Sequence, residues 1–376
     1  MVVRRLATSR PIGGREMRWT GLFSALVAAA WLLSLSPASI RDARPPGASS
    51  IGSVWPQAVR GSVSGSLADG STYTPGFFLD VGTSIGQAVT ADGAFMRLVV
   101  VRGPDSVREL RRLPAESAPQ FFGFVTADGQ LAWAESTSDA AGALTTSMWV
   151  TLADGAATAR RIVGDAGDVR QTDSAFGLAI VDRRLHWTVV SSGEESSTEL
   201  RSVGLDGGGA RSTVVPGLWS PVAWPWLLDD SGAVYGGRVV LMDRVRQVTR
   251  DVVAGQTEFP ECGAAWCRVI VMDDVGGRID LARVDGTQRR RIAGADDGFP
   301  VTDVAVLDRF EILTAFSPRT RAGLGRPVSI YDIARDSVVA VVSDAVSVQS
   351  RGGFLWWSSG FDDRLSWSVV DLRTLS

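Results

Sequence analysis

The chain of 376 residues carries 38 basic and 41 acidic side chains, a net charge of −3, and is 45% hydrophobic. It is too apolar and too neutral for a disordered chain, and long enough to bury a large core. Every cation is Arg, so a P-loop or Schiff-base lysine is excluded. One His and two Cys exclude a histidine-rich metal site, a Cys-rich zinc module and a disulfide-dense scaffold.

The amino terminus reads as an address. Arg4, Arg5, Arg10, Arg15 and Arg18 stand against one acid, Glu16, and the apolar run GLFSALVAAAWLLSL follows from Gly21 to Leu35. Ser36 and Ala38 then fit a small-x-small cleavage pattern. Residues 1–40 are therefore expected to be a secretory signal or, if Pro37 is tolerated, an uncleaved anchor through residues 19–40. Either way Ala38 onward is exported. No Cys ends the apolar core, which argues against a lipoprotein, and Arg4-Arg5 lies too far upstream for a strong twin-arginine signal. Met17 opens a complete signal of its own and is an alternative start. Residues 41–53, RDARPPGASSIGS, read as a flexible tether. Without residues 1–44 the chain holds 31 Arg and 39 acids, a net charge of −8. An acidic exported body argues against nucleic acid or anionic membrane as partner.

From residue 54 to 376 no amphipathic helix stands out. Short β-branched and aromatic runs recur in sets of four, divided by Gly, Asp and Pro turns. The second set reads Phe121–Thr126, Leu131–Glu135, Ser147–Leu152 and Ala159–Val163, with turns at Asp128-Gly129 and Asp154-Gly155. The third (Phe176–Val181 onward), the fifth (Ala264–Val271 onward) and the sixth (Val301–Leu307, Phe310–Phe316, Pro327–Asp332, Ser337–Val342) repeat the grammar. The seventh has only three runs. Set starts near 74, 120, 174, 221, 259, 301 and 346 give a 38–54-residue period, the mark of propeller blades. The expected fold is an all-β, seven-bladed β-propeller, with six or eight blades as alternatives. A strand near Val54–Val63 is expected to complete the last blade, close the ring and remove an open sheet edge. Trp133, Trp149, Trp187, Trp266 and Trp367 fall within strands and are expected to fill the wedges between blades.

The repeat "strand, Asp-Gly turn, strand, Arg-Arg-apolar", as in MWVTLADGAATARRIV and LARVDGTQRRRIA, resembles the TolB-like propeller family. VWPQAV and LADGSTYTP behind an Arg-only leader resemble its exported actinobacterial members. The W-S-P-D-G turn of that family is degenerate here, with Ser220-Pro221 and 229–232 as its traces. The resemblance implies a non-enzymatic, monomeric scaffold of the cell envelope that binds a protein or peptide.

Residues with catalytic potential are few. His186 is the only His and lies in a strand, LHWTVV, with no G-x-S-x-G elbow in the chain, so it reads as a packed or surface residue. Cys262 and Cys267 lie about 17 Å apart if the segment is straight β, so a disulfide needs a bend at Gly263. Export allows one, and a local disulfide is expected. The acids at 229–230, 273–274, 295–298 and 362–363 match no calcium loop and read as hairpin turns, so no metal and no cofactor is expected. Arg289-Arg290-Arg291 reads as a solvated edge. LWSPVAWPWLL (218–228) is unusual: Trp224 and Trp226 would share a face if it is a strand. They are the candidate binding residues, as an aromatic rim for a peptide or sugar, against buried packing. A lactonase- or quinoprotein-like propeller enzyme is the alternative function.

Overall fold

The computed structural model describes residues 49–376 apart from 104–105, 170–176, 192–196, 233–236, 274–275, 295–296, 299–302 and 316–324. The expected signal or anchor over 1–40 lies outside the described residues. Seven sheets follow one another along the chain. Blade 1 is Thr72–Asp80, Thr83–Val89, Phe95–Arg102 and Ser106–Pro114. Blade 2 is Gln120–Ala127, Gln130–Ser138, Leu144–Leu152 and Arg160–Val163. Blade 3 is Leu178–Val181, Arg184–Val190, Ser197–Gly204 and Arg211–Pro216. Blade 4 is Trp219–Ala223, Trp226–Gly232, Arg238–Asp243 and Val248–Val253, and blade 5 is Glu258–Cys262, Trp266–Asp273, Gly276–Arg283 and Arg290–Ala293. Blade 6 runs Asp297–Gly298, Phe310–Ala315, Arg326–Asp332 and Ser337–Ala345, and blade 7 runs Ser347–Arg351, Phe354–Ser359 and Ser366–Asp371. Neighbouring strands within each blade are antiparallel, and the fourth strands of blades 1–4 are the most exposed. The molecule is an all-β, seven-bladed propeller, and the six- and eight-blade alternatives fall.

Three expected boundaries are corrected. Part of the 41–53 tether belongs to the fold: Ser49–Ser50 pairs parallel with Val339 and Ala340 of blade 6, and Ile51 is buried. The expected strand at Val54–Val63 is a helical turn, Ile51–Val54, followed by a strand at Arg60–Ser64 that pairs with Ser366–Asp371 in blade 7. Ser50 caps that turn by accepting from the Ser53 N–H. Blade 6 starts at Asp297–Gly298 and not at Val301–Leu307, whose described part turns through positive φ at Ala305 and Leu307.

Apolar clusters join successive blades. Phe77 and Leu98 meet Phe121 and Trp133, Met148 meets Trp187, and Leu228 and Leu241 meet Val269. Leu281 meets Leu313, Phe310 meets Leu355, and Trp356 and Trp367 of blade 7 meet Phe78 of blade 1. Trp133, Trp187, Trp266 and Trp367 are buried in these wedges and Trp149 is half-buried, stacked on Trp133 with centroids 6.3 Å apart. Large aromatic rings suit gaps that widen outward. Between blades 3 and 4 the buried cluster shrinks to Leu200, Trp219 and Leu227, the smallest among the described residues.

The repeated Asp has a local cause. Asp154, Asp206, Asp243, Asp285, Asp332 and Asp371 close the third strands of blades 2–7. Each Oδ1 accepts the N–H two residues on, at 2.8–3.0 Å. These Asx turns satisfy backbone donors that the hairpin leaves open. The Arg of the repeat then reaches the next blade. Arg108 donates to Ala156 O at 2.8 Å, Arg160 to Asp206 O at 2.9 Å, and Arg290 to Ile333 O at 3.4 Å. The Arg289–Arg291 run is thus no free solvated edge: Arg289 bridges Glu258 and Asp280, and Arg290 staples blade 5 to blade 6. A buried pair, Arg268 to Glu311, ties the same two blades. Arg268 also donates to Glu261 at 2.9 Å, and Glu311 Oε2 accepts the Ala305 N–H at 2.8 Å. Burial pushes the Glu311 carboxyl above its usual range, against the pull of Arg268.

A candidate binding cleft between blades 3 and 4

The thin wedge between blades 3 and 4 opens into a shallow cleft that is open to solvent. Its floor comes from the second strand of blade 3. His186 and Thr188 stand two residues apart on one face of that strand, opposite Ala179 and Leu200. Its wall comes from the first hairpin of blade 4. There Pro221 lies in an edge strand, where a missing N–H costs no ladder bond. Trp224 and Pro225, joined by a cis peptide bond, make the turn, and Trp226 opens the next strand. Trp224 and Trp226 therefore do not share a strand face as expected. They reach the same cleft because one sits in the turn and the other follows it.

Both rings are half-buried and capped by cations. Arg244 lies 5.4 Å from the Trp224 ring centre, and Arg250 lies 4.8 Å from that of Trp226. The His186 ring sits 4.4 Å from Trp224, tilted by 45°. Burial first, then the charges of Arg244 and Arg184, depress the His186 pKa to about 4, so the ring is neutral at neutral pH. Its Nδ1 is buried without a hydrogen-bond partner. A catalytic triad needs an acid at that nitrogen. Thr188 is 3% exposed and its Oγ1 has no partner either. Arg244 is held below the usual guanidinium range by burial alone. Among the described residues no carboxylate pairs with it.

The remaining candidates lie elsewhere. Cys262 and Cys267 face each other across the first hairpin of blade 5 and are joined by a disulfide with Cα atoms 4.0 Å apart, the chain turning between Gly263 and Trp266. Among the described residues no three His, Cys, Asp or Glu converge as a metal site would require. Asp274 and residues 295–296 are outside the described residues. Thr188 was not a candidate from sequence, although strand alternation puts it on the same face as His186. Nothing local in 241–246 marked Arg244, which reaches the cleft only because the blade-4 hairpins stack.

No protein-family model matches this sequence, and no curated protein matches it. Solved structures do. An uncharacterised protein from Listeria monocytogenes EGD-e is 10% identical with a TM-score of 0.51, over 82% of this chain and 94% of that one. A puromycin-hydrolysing peptidase of Mycobacterium tuberculosis is 14% identical over 81% of this chain, TM-score 0.48, and TolB from Acinetobacter baumannii 12% over 80%, TM-score 0.39. This chain spans 52% of that mycobacterial peptidase and 43% of the Pyrococcus horikoshii acylaminoacyl peptidase, which it also resembles. At these identities the likeness is one of fold. The class is the seven-bladed β-propeller, with a cleft between two blades.

Proposed function

We propose that the protein is a non-enzymatic, exported propeller of the cell envelope that binds a protein or peptide through the cleft between blades 3 and 4. The carrying observation is the convergence of Trp224, Trp226 and Arg244 with two buried polar atoms that have no partner. Such groups are satisfied by a ligand and are costly without one. In this reading the leader exports the chain, the Arg60–Ser64 strand closes the ring, and the Cys262–Cys267 bond suits an oxidising compartment. Among the described residues no helix is long and apolar enough to cross a membrane; the expected anchor, residues 19–40, lies outside them.

The test is affinity capture from membranes with the full chain, run in parallel with Trp224→Ala and with Phe361→Ala, an exposed ring on blade 7 that is 51% accessible. A partner recovered by wild type and by Phe361→Ala, and lost with Trp224→Ala, supports the reading. Equal recovery by all three, or turnover of a lactone or sugar by the purified chain, overturns it.

A further inference from the structure

We infer that the cleft takes the free carboxylate end of a peptide whose last residue is apolar; this deepens the binding reading above and rests on it. The first ground is the state of Arg244. Three shielded arginines of this protein have acids, Arg97 with Asp69, Arg111 with Glu135 and Arg309 with Asp332, whereas Arg283 shares with Arg244 the face of an indole, that of Trp266. Arg244 is half-buried, and among the described residues it has only the face of Trp224. A partly desolvated cation without a counter-ion is unfavourable, and its planar fork matches a carboxylate through two parallel bonds.

The second ground is independent of charge. His186 and Thr188 line the same cleft, and their Nδ1 and Oγ1 are buried and bond to nothing in the protein. A peptide end offers both an N–H and a C=O beside its carboxylate, so the two atoms have partners of the right type. The charged groups around His186 are Arg244, Arg184 and Arg211 against Asp182 alone, a field that favours an anion. The rest of the lining is apolar: Trp224, Trp226, Pro221 and Leu227. A uronic acid shares the carboxylate, but its ring of hydroxyls would meet mostly apolar walls.

Calorimetric titration of the full chain tests this with three probes: N-acetyl-leucyl-phenylalanine, its carboxamide, and glucuronate. The acid is expected to bind with a Kd below about 1 mM and the carboxamide at least about tenfold more weakly. Arg244→Gln should erase the difference between them. Thr188→Val removes a hydroxyl that bonds to nothing in the protein, so it should keep the fold and weaken both peptides. If Arg244→Gln does not fold by circular dichroism, the acid-to-carboxamide ratio on wild type and Thr188→Val decides. Equal affinity for acid and carboxamide, both lost in Trp224→Ala, overturns the carboxylate assignment while leaving the cleft a binding site. Tighter binding of glucuronate than of the peptide acid, or no binding of the acid at about 10 mM, also overturns it.

Discussion

Glu311→Gln is the most informative change to the scaffold. The amide keeps the size of the carboxylate and its oxygen can still accept from the Ala305 N–H, but its NH2 then faces the Arg268 guanidinium, so the substitution removes the charge and one acceptor. Arg268 is 2% exposed and Glu311 fully buried. Coulomb attraction at contact and an effective dielectric near 20 is about 4 kcal/mol. Relief of the buried carboxylate returns part of that, and Glu261, 47% exposed, stays with Arg268. Removing one member of a buried pair costs about 3–5 kcal/mol, and the remaining acid places this case near about 3 kcal/mol. With an unfolding entropy of about 2.1 cal/mol/K per residue over residues 49–376, that lowers Tm by about 4 °C. Urea unfolding followed by tryptophan fluorescence, with calorimetry alongside, measures it. The double change Arg268→Met, Glu311→Gln leaves no orphan charge and keeps an acceptor for the Ala305 N–H, so it should be less destabilised than Glu311→Gln alone. A loss under about 1 kcal/mol for Glu311→Gln, or a double variant as damaged as the single one, refutes the reasoning.

Two further changes test the site and the staple. His186 is depressed to about 4 in the fold, below its unfolded value of 6.5. The unfolded chain therefore takes up the proton first, and stability that is intact above pH 6.5 is lost as pH falls toward 4. Discounted for solvent screening of a half-exposed ring, the loss is about 1 kcal/mol. His186→Asn should flatten that part of the stability–pH curve; an unchanged slope in urea unfolding between pH 7 and pH 4.5 contradicts the assignment. Replacing both Cys262 and Cys267 with Ala opens a six-residue loop and should cost about 2 kcal/mol. Midpoints that match between the variant and the oxidised wild type would count against a disulfide in the folded protein.

Much of the architecture could be read from the residues because the period is written in turn chemistry. Asp154, Asp206 and Asp285 precede Gly at φ of +68°, +89° and +78°, a conformation that Gly adopts freely. Those pairs mark blades 2, 3 and 5, and the recurrence of the four-strand sets every 38–54 residues gives the blade count. Blade 4 carries a weak strand signal because its first strand contains Pro221, which only an edge position tolerates. Blade 6 starts earlier than its strand-forming residues suggest: residues 304–307 turn through positive φ at Ala305 and Leu307, while Asp297–Gly298 supplies the described first strand. Ile51–Val54 is a single turn, too short for any periodicity to show. The cleft was legible only as an odd cluster of tryptophans. Its depth depends on a sparse interface and on Arg244, contributed by a hairpin 20 residues beyond Trp224, and no local pattern encodes such a meeting.

The amino-terminal segment is fastened to two blades rather than one. Ser49 and Ser50 lie along blade 6, Ile51 and Trp55 plug into the adjoining core, and Arg60–Ser64 lies along blade 7, with the Val59 N–H bonded to Thr374 at 3.0 Å. Traction applied ahead of Ser49 must first peel two residues from Val339 and Ala340 and then extract an indole before it strains the strand beside the carboxyl terminus. A propeller fastened in this way yields in stages: the outer fastening acts as a mechanical fuse, and the last seam holds while the segment ahead of it lengthens.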